Sequence, residues 1–441
     1  MMTGVVEQVR HVCALGALQT VQAIDRAVPV LHAGPGCGQK LWNALAVDNG
    51  CQGSGYIGGH SVPSTNVSEK EIIFGGTSRL REVVENSFKV LDADLYVVLT
   101  GCAADIVGDD AGEVVRSFQE QGKPIVYAET GGFKGTNVYG HELVLEAIID
   151  QYLPATPDQV KPGLVNIWSV VPYHDPFWTG NLKMIGHLIS QIGLCPNIIF
   201  GPGRGIQALQ KVPQAQFNLV VSPWVGLRTV KHLQEKYGTP FFHYPVLPIG
   251  PTETSKFLRS VAEFAAIPVK CVDQVIKESE DDYYYYIERT ADVLLETRLM
   301  PRRFVTIGDS FYTLGLSRFL MNDLGLLPET QFITDATPEE YQESVAAGLN
   351  KELVEGIQAP VIFTNDGGLI HEHLRGIQFH SRPLILGSSW ERVLAREING
   401  YQLSISMPVT DRMVLNRSYV GYEGAQRLIE DIYTVVLQDF Q

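Results

Sequence analysis

No run of 18 apolar residues occurs anywhere in the 441, so no membrane-spanning helix is encoded. The opening residues, Met1-Met-Thr-Gly-Val-Val-Glu7, lack the charged-then-apolar profile of a secretory leader, and the cytoplasm is the expected compartment. Cysteines number only six, and none stands in a Cys-x-x-Cys pair. That removes a disulfide framework, a zinc ribbon and a ferredoxin loop. Cations are in deficit: 34 Lys and Arg against 49 Asp and Glu leave a net charge of −15. Nucleic-acid binding is carried by cationic contacts to phosphate, so no nucleic-acid partner is expected. No G-x-x-x-x-G-K-[ST] loop is present, and this chain is not expected to hydrolyse ATP itself. A G-x-S-x-G elbow, an H-E-x-x-H pair, low-complexity tracts and alignable repeats are missing as well.

What remains is a globular composition, 45% hydrophobic and 19% charged, over a length that predicts two or three domains. Short β-rich runs at 28–31, 95–99, 124–127, 164–169, 197–200, 217–221, 240–244, 303–307, 330–334, 360–363 and 383–386 alternate with helical patterns such as 77–91, 110–121, 140–152, 181–191, 227–236 and 309–323. Such alternation implies parallel sheets with crossover helices. Eleven strands are too many for one compact sheet of this kind. The expected fold class is α/β, with three Rossmann-like domains of parallel sheets flanked by helices, at 1–155, 156–299 and 300–441. The first boundary lies where Pro154, Pro157 and Pro162 are closed by Gly163. The second follows a charged helical stretch, 273–299, in which Tyr283–Tyr286 cover every face; a helix packed between domains is the plain expectation.

Three cysteines have distinctive settings. Cys13 opens Cys-Ala-Leu-Gly-Ala-Leu18; Cys37 closes His32-Ala-Gly-Pro-Gly-Cys37 after an apolar run; Cys102 closes Leu95-Tyr-Val-Val-Leu-Thr-Gly-Cys102 after another. Glycine before a cysteine lets the backbone approach a bulky inorganic group, and thiolates hold iron–sulfur clusters. Their separations are 24 and 65 residues, so no local motif unites them. On chemistry alone the triplet stays open between a cluster site and three structural thiols. Three ligands are one short of four, which a second chain would supply. Cys195 and Cys271 read as core thiols, and the role of Cys51, after Asn49-Gly50, is open.

Other candidates have plain readings. Gly201-Pro-Gly-Arg-Gly205 fails the dinucleotide spacing and reads as a turn into a helix at 206–211. Gly308-Asp309-Ser310 and Asn365-Asp366-Gly367-Gly368 fall at carboxyl ends of predicted strands, where ligands bind, yet Asp309 and Ser310 are also good helix caps. His371 and His373, two residues apart, do not share a helix face and read as surface.

Taken together, these residues resemble component 1 of nitrogenase and its relatives. His32–Cys37 resembles that family's cluster-binding loop, Glu71-Ile-Ile-Phe-Gly-Gly76 its Phe-Gly-Gly segment, and Gly101-Cys102 with Ile106-Val-Gly-Asp-Asp110 its third cysteine region. Ser222-Pro-Trp224, Ile307-Gly-Asp309, Asp411-Arg412 and Gly421-Tyr-Glu-Gly-Ala425 follow in order, so the likeness spans residues 11–437. Cys13-Ala-Leu-Gly-Ala17, Ser222-Pro-Trp224 and Met407-Pro-Val-Thr-Asp-Arg412 resemble the β-type chain.

The resemblance implies a subunit of an ATP-dependent multielectron oxidoreductase. Cys13, Cys37 and Cys102 match the ligands of an electron-relay cluster, an [8Fe–7S] P-cluster type or a [4Fe–4S], shared with an α-type subunit in an α2β2 assembly. Phe74 matches the place where a separate [4Fe–4S] reductase docks and hydrolyses ATP. The positions that hold the substrate cofactor in an α-type chain are Ser222 and Asp411 here, so catalysis is expected in the partner. Two departures are visible. Gly132, in Glu129-Thr-Gly-Gly-Phe133, stands where β chains of nitrogenase often carry a ligating serine, and only twelve residues precede Cys13, where molybdenum β chains have a long extension. Both fit nitrogenase-like branches such as methylthio-alkane reductase. Reduction of a methylthio-alkane C–S bond or of dinitrogen is the expected chemistry, with a non-catalytic scaffold for cofactor assembly as the alternative.

Overall fold

A computed structural model describes residues 5–53, 62–156, 159–297, 299–354 and 356–438; Pro157 of the first expected boundary lies outside them. Three parallel sheets organise the chain. The first holds β1 (Ala27–His32), β2 (Leu95–Thr100) and β3 (Ile125–Ala128), in that spatial order. The second holds β4 (Lys161–Trp168), β5 (Cys195–Asn197), β6 (Ala215–Val221) and β7 (Phe241–Tyr244), ordered β5-β4-β6-β7. The third holds β8 (Arg303–Gly308), β9 (Leu327–Pro328), β10 (Gln331–Ile333), β11 (Val361–Phe363), β12 (Leu384–Gly387) and β13 (Tyr401–Ser404), ordered β11-β10-β8-β12-β13, with β9 on β8. Every pairing among them is parallel. The expected α/β class of parallel sheets flanked by helices is what forms.

Parallel strands are covered on both faces, so they read as continuous apolar runs. β2 is the plainest case: Leu95 to Thr100 are all buried. The run at 197–200 behaves differently. Pairing stops at Asn197, and Ile198 to Phe200 are buried without joining the sheet. Two strands had no visible apolar run. β9 has only two residues, and β13 alternates polar Gln402 and Ser404 with Tyr401 and Leu403. Gln402 settles there by donating to the Ser388 carbonyl (2.9 Å) and the Ser404 hydroxyl (2.7 Å).

The tyrosine run lies on a long helix, Val269–Thr297, that packs against the helices Gly250–Phe264 and Gly421–Gln438. Only Tyr283 is buried; Tyr284, Tyr285 and Tyr286 face outward. Among the described residues no helix is long and apolar enough to cross a membrane.

Candidate functional site

β1 and β2 are in register from Ala27 opposite Leu95 to His32 opposite Thr100, so the segments that leave them emerge side by side. From β1 the chain enters the helix Pro35–Ala46, with Cys37 in its first turn; from β2 it passes Gly101 and starts the helix Cys102–Val107 at the cysteine itself. The two crossings touch: a Cβ on Gly101 would stand 2.7 Å from that of Ala33, so only glycine fits. Gly101 N–H donates to the His32 carbonyl at 2.9 Å.

Cys13 reaches the same edge from elsewhere. It bridges Thr136, and Ala14 N–H donates to the Gly135 carbonyl at 2.9 Å. The tight turn Gly132–Lys134 then meets both sulfurs. Gly132 N–H donates to Cys102 Sγ at 3.1 Å. A Cβ on Gly132 would lie 3.0 Å from Cys102 Sγ, 3.1 Å from Cys13 Cβ and 3.5 Å from Cys13 Sγ. Cys37 belongs to the same group: burial first, then the Cys13 and Cys102 thiols, push its thiol up. Cys13 and Cys37 are half-buried and Cys102 is exposed, while Gly34 and Gly36 face open space.

Among the described residues no three His, Cys, Asp or Glu side chains close on a single metal ion. The triplet therefore does not suit a mononuclear site. Three soft sulfurs beside a backbone N–H donor, on an open face, suit one side of an iron–sulfur cluster. Loading such a group has to displace the proton that Cys37 holds.

The aromatic candidate sits close by. The helix Glu69–Phe74 begins with a Ser68–Glu71 capping box and ends on Phe74, 81% exposed. Ile72 and Ile73 beside it, Ile106 one turn beyond Cys102, and Phe133 beside Gly132 are exposed too. One carboxylate ties this loop to the cysteine edge. Asp109 accepts from Gly76 N–H (2.7 Å) and faces His32 Nε2 at 2.9 Å, while His32 Nδ1 faces the Thr65 hydroxyl at 3.1 Å. Burial holds His32 below its ordinary range, against the pull of Asp109. Both residues lie in motifs already singled out, but their pairing across 77 positions leaves no local mark.

Several expectations are corrected. Cys195 and Cys271 are exposed, not core: Cys195 is on the edge strand β5, and Cys271 turns outward beside buried Val272. Cys51 is exposed as well. His371 is buried, with Nε2 3.1 Å from Glu391 Oε1, whereas His373 remains at the surface. Asp366 caps its helix through Gly368 and Leu369 N–H. Asp309 makes no such bond and instead faces buried His174 at 3.3 Å. The turn after Gly201 does lead into a helix, Gly205–Lys211.

Ser222 and Asp411 offer only oxygen. Ser222 is fully buried, its hydroxyl accepting from Val225 N–H at 3.1 Å. Asp411 accepts from the Ser389 and Ser404 hydroxyls, each at 2.9 Å, and the neighbouring Arg412 pairs with Asp431 instead.

A family profile described as nitrogenase component 1 type oxidoreductase matches residues 13–437. The chain belongs to this family. The nitrogenase molybdenum-iron protein beta chain of Azotobacter vinelandii is 24% identical over 464 residues, covering 96% of this chain and 82% of that one. That of Methanococcus maripaludis is 23% identical over 480 residues, covering 99% and 96%. That of Crocosphaera subtropica is 22% identical over 442 residues, covering 94% and 80%. The solved structure "Nitrogenase Cp1 at pH 6.5" superposes with a TM-score of 0.81 at 20% identity, over all of this chain and 95% of that one, and shares the fold. This nitrogenase component 1-type chain is of the β type that its Met407–Arg412 and Gly421–Ala425 segments predict.

Proposed function

We propose that this chain is the β-type subunit of a nitrogenase-like reductase, in which Cys13, Cys37 and Cys102 hold half of an interface cluster of the [8Fe–7S] P-cluster type. An α-type subunit supplies the remaining ligands and the substrate cofactor, in an α2β2 assembly. The observation that carries this reading is the meeting of Cys13 and Cys102 at Gly132, with Cys37 in the first turn after β1, the strand in register with the one that leads to Cys102. When bound, such a cluster supplies one-electron storage and transfer. The work of this chain is to present three thiolates, to donate Gly132 N–H to Cys102 Sγ, and to keep water from the buried side. Glycine at 132 leaves no oxygen ligand there.

The exposed Ile72-Ile-Phe74 segment is the docking face for an ATP-hydrolysing [4Fe–4S] reductase. Ser222 and Asp411, as oxygen donors already used in hydrogen bonds, are poor partners for a soft cofactor, which supports reduction in the α-type chain. Each parallel sheet is the core of one domain, with boundaries near 155 and 299. A methylthio-alkane C–S bond or dinitrogen is the proposed substrate class.

The test is anaerobic co-production with an α-type chain, followed by iron counting in wild type, Cys37→Ala and Cys102→Ala. About eight irons at the relay site per αβ pair are expected for wild type, against about four for a single cubane. The two variants should lose iron, activity and αβ association. Full iron and full activity in both would refute the assignment.

A further inference from the structure

The described stretch before Cys13, residues 5–12, has no regular secondary structure, yet it is held at successive points along the edge of the third sheet. Gly367 N–H donates to the Glu7 carbonyl at 2.8 Å, and Glu7 N–H donates to Asp366 Oδ1 at 3.2 Å. Gln8 packs so closely on Gly367 that a Cβ there would lie 2.6 Å from its side chain. Arg10 is buried and grips Glu391 with both prongs, Nη1 to Oε2 at 2.9 Å and Nη2 to Oε1 at 2.5 Å. Nη1 also reaches the Ser388 hydroxyl at 3.3 Å. Glu391 is fully buried and accepts in addition from Ser388 N–H (2.6 Å) and the Ser388 hydroxyl (2.8 Å).

Immediately afterwards the chain is fastened to the first sheet's side. Val12 N–H donates to Asn137 Oδ1 at 3.1 Å, and Asn137 N–H donates to the Val12 carbonyl at 2.8 Å. Three residues of extended chain span roughly 10 Å at most. Arg10, anchored on the third sheet's side, and Val12, anchored on the first's, lie two residues apart and lead directly into Cys13.

We infer that Arg10 and Glu391 are positioning residues for Cys13: their buried pair sets where the Cys13 sulfur stands in the half-site, from a sheet that contributes no cluster cysteine. The inference rests on the cluster reading above. The fork geometry matters, because lysine keeps the charge but cannot bridge both carboxylate oxygens. Removing either partner also strands the other charge out of water.

The test uses the full chain, metal-free and anaerobic, treated with iodoacetamide, with alkylation of Cys13 and Cys102 followed separately by mass spectrometry. Cys102 starts a helix behind β2 and serves as the internal reference. In Arg10→Lys and in the isosteric Glu391→Gln, the Cys13-to-Cys102 rate ratio should rise about tenfold as the strap opens locally. In the iron-loaded complex with an α-type chain, the cluster's reduction potential and EPR lineshape should shift in the same variants. A pair that only stabilises would lower the melting temperature while leaving ratio, potential and lineshape unmoved, and that result overturns the inference. The alkylation ratio does not depend on iron. If Cys13→Ala keeps full iron while the ratio still rises in Arg10→Lys and Glu391→Gln, the cluster reading fails and the clamp stands.

Discussion

Asp109→Ala tests the joint between the exposed aromatic loop and the cysteine edge. The Asp109 and His32 side chains are 4% and 0% exposed, and Asp109 meets Gly76 N–H at 2.7 Å and His32 Nε2 at 2.9 Å. With His32 neutral, both are donors, and alanine leaves both buried without an acceptor. At about 1–3 kcal/mol per orphaned donor, the cost is about 4 kcal/mol. For a domain of this size that lowers the melting temperature by about 10 °C. Asp109→Asn keeps an oxygen for Gly76 and should cost about half as much. The pH dependence has a definite sign. His32 is held below its ordinary range, so below about pH 6.5 the unfolded chain takes up a proton that the folded chain refuses, and stability falls with pH. Without the Asp109 charge that pulls His32 upward, the fall should be steeper in the alanine variant. Urea unfolding between pH 5 and 8, with hydrogen exchange read over residues 74–80, is the assay. An alanine variant within about 1 kcal/mol of wild type, or an asparagine variant as costly as alanine, would refute the reasoning.

Three further outcomes are expected. Gly132→Ala places a Cβ 3.0 Å from Cys102 Sγ; overpacking of about 1–3 kcal/mol should reduce iron per chain while circular dichroism stays native, checked by elemental analysis. Phe74→Ala removes an exposed aromatic worth about 2 kcal/mol in an interface core, so half-saturation by the reductase should rise about 30-fold with cluster spectra unchanged. His141 is pushed down to about 3 by burial and then by His174, so below its ordinary 6.5 it takes stability away as pH falls. Since one pKa unit is about 1.4 kcal/mol, the stability gap between wild type and His141→Gln should narrow by about 2 kcal/mol from pH 6.5 to pH 5, measured by urea titration.

Much of the fold was legible because buried parallel strands write themselves as apolar runs; β2, from Leu95 to Thr100, needs no context to be seen. β13 was not legible because its polar residues are accommodated by hydrogen bonds from Gln402 that no local pattern announces. The cysteines show the same divide. Glycine before Cys102 reflects a close backbone crossing that the chain itself records, whereas Cys271, which follows Val269-Lys270, reads as core although it is the next residue, Val272, that is buried, since adjacent helical residues point about 100° apart. Charged partners were the least legible. Asp309 has the chemistry of a cap, but the ring it faces belongs to His174, far away in sequence; His371 likewise answers to Glu391 on the following helix. Arg10 carried no mark at all, since its only distinction is where it is buried.

The glycine that lets Cys13 and Cys102 share a neighbour also makes the iron-free chain chemically fragile. Both sulfurs lie within 3.5 Å of the point where a Gly132 side chain would begin, and Cys102 is open to solvent. An oxidant that converts Cys102 to a sulfenic acid places it within a short excursion of the Cys13 sulfur; condensation of thiol and sulfenic acid expels water and closes a sulfur–sulfur bond. On the proposed cluster reading two of the three ligands are then spent, leaving Cys37, whose thiol burial raises. If the proposed cluster is the resident group, maturation is a race on one small face, which metal or a partner surface has to cover before oxygen does.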